Sequence, residues 1–377
     1  MHNDKNYYEI VLTGASSAGK TTALSFLAQK LADRGFHVLR CPEVASLLLD
    51  AGTREIPMRQ KEEPEMFYHL EKSMLLMQME MRSHFRRLAQ AYAPQPTVIL
   101  YDRGEMDVLA YAGRDLFHRI LGEEELSLPQ LRDHYDAVVH LVSVAVDFPE
   151  LYSSENNPAR WETVEQARSS NSLIMQAWTG TPHLWVIDNQ DRMEGKLEKT
   201  LQAVLHTVGF PAPVEHEYKF LLENEPPLSE LESLGAARIE IQQTYLLANQ
   251  EGEFRVRQRS QDGGHTFYYT RKQDLPGGGR AEYEAQITLA EYERLLGEAD
   301  PEKPTLQKTR WCFVWEHTYY ELDHFVGPDG DLWLLEVETM DSSNTPRIPD
   351  WLGPVKDVTH NHNYRSASIA QQFPSPK

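Results

Sequence analysis

Cysteine is nearly missing: Cys41 and Cys312 are the only two in 377 residues, too few and too far apart for a disulfide framework or a cysteine-built zinc site. That usage suits a reducing compartment. Long apolar runs are missing as well. The longest nearly apolar stretch, Ala137 to Val146, covers about half of the ~20 residues that a membrane helix needs. Met1-His2-Asn3-Asp4-Lys5 has neither the basic start nor the apolar core of a secretory signal. A cytoplasmic protein is expected, without a transmembrane segment and with membrane contact at most peripheral. Positive charge is the third shortage: 37 Lys and Arg face 57 Asp and Glu, a formal net charge of −20. Such a balance argues against general binding of nucleic acid or anionic membranes.

What is present is ordinary globular material. Hydrophobic residues make up 41% and charged residues 25%, enough to bury a full core. At roughly 100–200 residues per domain, two domains are expected. Up to about residue 210, short apolar runs alternate with longer amphipathic stretches. Glu9–Thr13, Val38–Arg40, Thr97–Tyr101, Ala137–Val142 and Leu184–Ile187 read as buried strands. Thr21–Arg34, Glu65–Ala91, Met106–Leu121, Pro158–Gly180 and Gly195–Val208 read as helices between and after them. Strands separated by helices imply an α/β domain, a parallel sheet covered on both faces. Gly209-Phe210-Pro211-Ala212-Pro213 ends the last helix and serves as a linker. Beyond it lie eight period-2 segments: Val214–Leu222, Arg238–Leu247, Glu253–Arg259, Thr266–Lys272, Arg280–Ile287, Lys308–Glu316, Tyr319–Val326 and Trp333–Thr339. With helices at Pro227–Leu234 and Leu289–Leu296, they predict an α+β domain built on an antiparallel barrel, closed or nearly so. The expected division is 1–210, a linker at 211–213, 214–370 and a loose tail at 371–377.

Directly after the first strand comes Gly14-Ala15-Ser16-Ser17-Ala18-Gly19-Lys20-Thr21, followed by Thr22. It fits G-x-x-x-x-G-K-[ST] and opens a helix. Small residues let successive backbone N–H groups close around phosphates, and the helix N-terminus adds positive potential. Lys20 would reach the β- and γ-phosphates of ATP or GTP, and Thr21 would place its hydroxyl on Mg²⁺. Asp102 ends the third strand, where open parallel sheets bind ligands. It is placed to enter a Mg²⁺ shell, to accept a proton from an attacking hydroxyl, or simply to cap a helix. Glu43, just past the second strand, is a weaker candidate for the same chemistry and could equally be a first-turn acid. Arg160 and Arg168, eight apart on a helical segment, could close over a γ-phosphate or stay solvated. No Asn-Lys-x-Asp motif is present, so the base stays open. Gly14–Thr21, Pro42-Glu43, Tyr101-Asp102-Arg103-Gly104, Arg160…Arg168 and Val186-Ile187-Asp188-Asn189 together resemble the AAA-type P-loop family related to the kinase half of bacterial nicotinamide-riboside kinases. The resemblance covers residues 7 to about 209. It implies Lys20 and Thr21 on Mg-nucleotide and Asp102 at the metal.

The second half carries its information in parity. Glu215, Glu217 and Lys219 share one strand face, as do Arg255, Arg257 and Arg259. Glu282 with Glu284, Lys308 with Arg310, Glu321 with Asp323, and Glu336 with Glu338 repeat the spacing. A half-solvated sheet is the common cause of alternation, but solvated faces mix signs, and three arginines in a row repel unless anions sit among them. The basic set Lys219, Arg255, Arg257, Arg259, Arg271, Lys272, Lys308 and Arg310 clusters within a strongly acidic chain. Basic strands for phosphate oxygens and carboxylates for a divalent metal account for both signs.

Those strands, in that order, resemble the CYTH family, the triphosphate tunnel metalloenzymes. Val214-Glu215-His216-Glu217-Tyr218-Lys219 matches its E-x-E-x-K strand, and Ile348-Pro349-Asp350-Trp351-Leu352-Gly353 with Val358-Thr359 continues the match. His360-Asn361 stands where the family has Gly-Asp; with His362 it could form a metal pair or, more simply, a polar turn. The resemblance implies a triphosphate, polyphosphate or inositol-phosphate ligand and Mg²⁺ or Mn²⁺ held by Glu215, Glu217, Glu282, Glu284, Glu321, Asp323, Glu336 and Glu338. Glu215, Glu217 and Lys219 would take part in catalysis beside Lys20, Asp102 and Glu43. The domain order is similar to the TRPL translocation defect protein family, described as binding GTP and phosphoinositides. Four functions are open: nucleotide hydrolysis with a barrel that binds or cleaves triphosphate, a small-molecule kinase with a regulatory barrel, a non-enzymatic nucleotide-controlled binder of phosphoinositide or polyphosphate, and, from the family alone, an adenylyl cyclase.

Overall fold

The computed structural model describes residues 6–92, 95–152, 163–210, 216–247, 252–274, 280–328, 330–340 and 345–374. The chain forms two compact units: one takes residues up to Leu126 and Tyr135–Val204, the other Ser127–His134 and the chain from Leu205 onward. Among the described residues no helix is long and apolar enough to cross a membrane.

The first unit is built from β1 (Tyr7–Thr13), α1 (Lys20–Ala32), β2 (His37–Cys41), α2 (Val44–Leu48), α3 (Pro64–Ala91), β3 (Thr97–Asp102), α4 (Glu105–Ala112) and α5 (Arg114–Glu123). A short helix, α6 (Leu128–Arg132), follows in the chain and belongs to the second unit. The first unit resumes with β4 (Ala137–Leu141), α7 (Val144–Asp147), α8 (Val164–Trp178), β5 (Leu184–Ile187) and α9 (Arg192–Thr207). Its five strands are parallel in the order β2-β3-β1-β4-β5. Ile10, Val11, Leu12, Val98, Ile99, Leu100, Val138 and Val139 are fully buried, as near-continuous apolar strands between two helical layers must be. The chain moves to β2 and β3 on one side of β1 and to β4 and β5 on the other, so the loop after β1 lies at the switch point where such sheets bind ligands. The single helix expected over Met106–Leu121 is two. Gly113, at φ 80° and ψ 163°, ends α4 and starts α5, a conformation that glycine reaches without strain.

The second unit continues with β6 (Glu217–Leu222), α10 (Leu228–Ser233), β7 (Ala237–Tyr245), β8 (Glu253–Gln261), β9 (Gly264–Asp274), β10 (Arg280–Ile287) and α11 (Leu289–Leu296). It ends with β11 (Leu306–Trp315), β12 (Thr318–Phe325), β13 (Leu332–Glu338), β14 (Val355–Asp357) and α12 (Ser366–Gln371). The strands form one antiparallel sheet in the order β10-β9-β8-β7-β11-β12-β13-β6-β14. β14 is too short to show periodicity in the sequence; it adds to β6 with Val355 opposite Leu222 and Asp357 opposite Phe220. The hydrogen-bonded order has β10 and β14 at its ends, yet Glu217 on β6 feels the charge of Lys272 on β9. Five strands separate those two, so the sheet must curl to bring them near each other. One face packs Phe220, Leu231, Phe313, Leu322, Leu335 and Leu352 into a core. The opposite face carries the charges.

Candidate functional site

In the first unit, the loop between β1 and α1 is shaped by backbone. Gly14 has φ 136°, and a Cβ there would stand 2.2 Å from the Leu141 carbonyl oxygen. Gly19, at φ 91°, precedes the first residue of α1. Ala15 and Ala18 are buried, Ser16 and Ser17 half-buried, and Thr21 and Thr22 exposed at the helix start. Lys20 Nζ folds back to donate to Gly14 O at 2.7 Å and Ala15 O at 3.2 Å. Burial and Arg103 push its ammonium down to about 8, against the pull of Glu43 and Asp102.

Asp102 and Glu43 both interact with Lys20, so the loop and the two strand-end acids converge. Asp102 Oδ1 is buried without a hydrogen-bond partner, and burial raises its carboxyl above the usual range, with Lys20 opposing. Glu43 is held by Arg103 and Ser46. Burial alone would raise its carboxyl, but Arg103 outweighs that and holds it down at about 2. Arg168 donates its Nε to Ala145 O at 2.6 Å; Arg160 lies outside the described residues.

Three side chains of this unit were not visible as a group in the sequence. Asp107 accepts from Thr13 Oγ1 at 2.5 Å, Arg103 Nη1 at 3.0 Å, Gly104 N at 3.0 Å and Trp178 Nε1 at 3.1 Å, tying β1, β3, α4 and α8 together. Lys196 Nζ donates to Val142 O at 2.6 Å and Asn189 Oδ1 at 2.7 Å, and burial lowers its ammonium to about 8. Asn189 in turn donates to Asp147 at 2.8 Å and Ser143 O at 3.2 Å, while Ser143 Oγ donates to Ser16 O in the loop at 2.5 Å. The chain offers Asp107 and Asn189 as the only hints, each close behind a strand end.

In the second unit the ionic face is buried. Arg255, Arg257, Arg259, Lys272, Lys308, Arg310, Asp323 and Glu336 are all at most 9% exposed, which charged groups tolerate only when paired. Lys219 bridges Glu217, at 2.8 Å, and Glu336. Arg310 is bidentate on Asp323, at 2.6 Å twice, and also meets Glu336 at 2.5 Å and Glu321. Lys308 donates to Asp323 at 2.5 Å; burial and Arg310 lower its ammonium to about 8. Glu282 takes Lys272 at 2.7 Å and Arg255 at 3.1 Å. Against the effect of burial, these two hold its carboxyl far below the usual range.

Arg257 stands apart. Burial, Arg255 and Arg310 all press its guanidinium down, and the carboxylate nearest to it, Glu284, is 3.5 Å away and shared with Thr270 Oγ1 at 2.8 Å. The buried Nε atoms of Arg255 and Arg257 have no hydrogen-bond partner. Two such buried donors fit an anion with several oxygens. Glu338 lies opposite Glu217 in the register of β13 and β6. Thr359 Oγ1 accepts from Lys219 N at 3.1 Å, so the Val358-Thr359 segment is tied to the same strand.

One expectation needs correction. Arg271 does not share the ionic face: it sits directly opposite Phe254, with its guanidinium 5.8 Å from that ring and Nη2 on Gln273 at 2.8 Å. Adjacent residues on a strand point to opposite faces, so Arg271 and Lys272 could not both belong. At His360-Asn361 the simpler of the two readings, a polar turn, is what the backbone forms: Asn361 Oδ1 accepts from Asn363 N at 3.1 Å. Glu215 lies outside the described residues. Among the described residues no group of three or more His, Cys, Asp or Glu side chains is arranged to hold a metal, because most acids already grip a cation. The donor chemistry still fits a hard divalent ion. Glu217 lies diagonal to Glu336, which stands opposite Lys219 in the register of β6 and β13; burial and Glu336 push the Glu217 carboxyl up, and such a like-charged pair is what a divalent cation relieves.

Both halves are similar to known proteins. The AAA domain family model matches residues 9–196. The inorganic triphosphatase of Acetivibrio thermocellus is 31% identical over 129 residues, which is 34% of this chain and 78% of that protein. Among solved structures, the inorganic triphosphatase NE1496 is 26% identical with a TM-score of 0.29, covering 43% of this chain and 97% of its own. A Hippeastrum protein described as having a dominant triphosphatase activity is 17% identical with a TM-score of 0.27, covering 34% of this chain and 80% of its own.

Proposed function

Because the chain belongs to the inorganic triphosphatase (CYTH) family in its second unit, behind an AAA-type P-loop unit, we propose that it binds a nucleoside triphosphate at Gly14–Thr21 and hydrolyses a triphosphate-type ligand on the ionic face of the curled sheet. The observation that supports the second part is the pair Arg255 and Arg257, buried guanidiniums whose Nε atoms have no hydrogen-bond partner. Arg257, Arg255 and Lys272 would bind the oxygens of the terminal phosphates, and Lys308 and Arg310 those farther along. Lys219, fixed by Glu217 and Glu336, would hold the phosphate nearest β6. Glu217, Glu336 and their neighbours Glu338 and Glu321 would hold Mg²⁺ or Mn²⁺, which when bound supplies charge neutralisation for phosphoryl transfer. The bound arginines orient the terminal phosphorus for in-line attack by water: one P–O anhydride bond breaks, one P–O bond to water forms, and the water proton leaves to solvent.

A second reading concerns the first unit. Asp102, with a buried and partnerless Oδ1 and a carboxyl raised by burial, suits a base for the hydroxyl of a phosphoryl acceptor, which would make that unit a kinase.

One comparison of three proteins tests the assignment. Phosphate release from ATP, GTP and tripolyphosphate is measured with Mg²⁺ and with Mn²⁺ for the wild type, Lys20→Ala and Arg257→Ala. Lys20→Ala should lower nucleotide affinity ~100-fold and leave tripolyphosphate turnover unchanged; Arg257→Ala should do the reverse, with a loss of ~10-fold or more. A wild type that releases no phosphate from any of the three substrates refutes the hydrolytic reading. ADP formed with a phosphorylated acceptor in place of free phosphate favours the kinase.

A further inference from the structure

The second unit includes one stretch far from the rest of it in sequence, Ser127–His134. Its short helix α6 delivers Arg132 and Asp133, whose side chains are 1% and 0% exposed. Arg132 grips the Asp133 carboxylate through Nε at 2.6 Å and Nη2 at 3.3 Å, while its Nη1 donates to Gln261 Oε1 of β8 at 2.8 Å. Tyr268 of β9 donates its hydroxyl to Asp133 O at 2.5 Å, and Thr266 Oγ1 reaches Asp133 Oδ2 at 3.5 Å. The stretch fits closely: a Cβ at Gly264 would stand 2.6 Å from Ser127 Cβ. This is a seated side chain, held from its backbone and from both carboxylate oxygens.

Its neighbour on the ionic face is Arg259, the third arginine of the β8 row, with Nε 3.5 Å from Asp133 Oδ2. The first two arginines pair differently. Arg255 and Arg257 meet Glu282 and Glu284 of β10, acids whose side chains remain 22% and 10% exposed. Asp133 is 0% exposed, and Arg132 holds both of its carboxylate oxygens. A phosphate approaching Arg259 would meet a fixed carboxylate at contact distance, and two negative charges in a buried site repel strongly.

We propose that Asp133 closes the Arg259 end of the basic row and so sets the length of phosphate chain the sheet accepts, selecting a triphosphate over longer polyphosphates. Arg255 and Arg257 serve the ligand; Arg259 serves Asp133. This rests on the reading of the ionic face as the triphosphate site, and the experiment separates the two.

Tripolyphosphate and tetrapolyphosphate are titrated calorimetrically into the full-length wild type, Asp133→Asn and Arg259→Gln in the presence of Mg²⁺, with circular dichroism to check folding. Heat lost in Arg257→Ala identifies binding on the sheet. In Asp133→Asn the affinity ratio of tetrapolyphosphate to tripolyphosphate should rise about tenfold, equivalent to ~1.4 kcal/mol of differential binding. In Arg259→Gln tripolyphosphate affinity should change by less than about threefold. An unchanged ratio in Asp133→Asn, or a tenfold or greater loss (~1.4 kcal/mol) of tripolyphosphate binding in Arg259→Gln, overturns the role of Asp133. Should Asp133→Asn fail to fold, the Arg259→Gln result decides alone. A wild type showing no Arg257-dependent binding of tripolyphosphate fails the underlying reading, and the proposal falls with it.

Discussion

The two units build their candidate phosphate cradles from opposite materials. In the first, the loop after β1 is made by backbone: two glycines at φ 136° and 91° turn the chain at the head of α1, and the single loop cation, Lys20, rests on the loop's own carbonyl oxygens. In the second, side chains do the work, with basic residues of β8, β9 and β11 balanced against acids of β6, β10, β12 and β13. A backbone cradle depends on space and dihedral angles and tolerates varied side chains. A side-chain cradle depends on a charge balance that an entering anion would have to rearrange.

The sharpest way to break that contrast is Gly14→Ala. The added Cβ would meet the Leu141 carbonyl oxygen at 2.2 Å in a backbone conformation unfavourable to L-residues, a combined cost of ~4 kcal/mol. Nucleotide binding should disappear and the unfolding midpoint of the first unit should fall, while tripolyphosphate binding stays. Retention of wild-type nucleotide affinity would show that the loop is not a backbone-dictated structure.

The same contrast explains what the sequence made legible. The phosphate loop is contiguous, so eight residues announce it, and the ionic strands alternate with period 2, so parity alone groups Glu217 with Lys219 and Arg255 with Arg257. Parity would also have excluded Arg271, had it been applied to neighbours as strictly as within each strand. Long-range partners were beyond reach. Nothing local couples Asp107 to Trp178, 71 positions later, or seats Asp133 beside Arg259 from a helix of five residues. Met106–Leu121 read as one helix because its apolar spacing runs through Gly113, where only the backbone dihedrals reveal the break.

A smaller effect tests the charge-balanced unit. Glu336 accepts from both Lys219 and Arg310. Burial opposes its charge, but Lys219, Lys308 and Arg310 hold its carboxyl far below the usual range. Glu336→Gln leaves those cations under-compensated and should cost ~3 kcal/mol, read as a lower denaturant midpoint. Tripolyphosphate, added without a divalent cation, should then stabilise the variant more than it stabilises the wild type, because the anion supplies the missing charge. Equal stabilisation of the two proteins would mean that the cations of β6 and β11 are not ligand contacts.

An effect that appears only as the pH rises comes from a residue that reverses the pattern. Glu71 on α3 is a carboxylate buried in the first unit, its Oε2 has no hydrogen-bond partner, and burial alone pushes its carboxyl up to about 8. A folded-state value above the unfolded value of ~4.3 means that the stability supplied by the neutral acid is fully present below about pH 4 and is lost as the pH climbs through about 8. Glu71→Gln keeps the shape and removes the titration. Its thermal midpoint should match or fall slightly below that of the wild type at pH 5 and exceed it at pH 8.5. Parallel midpoint curves for the two proteins from pH 5 to 8.5 would show that Glu71 is charged in the folded state and has a partner, as the acids of the second unit do.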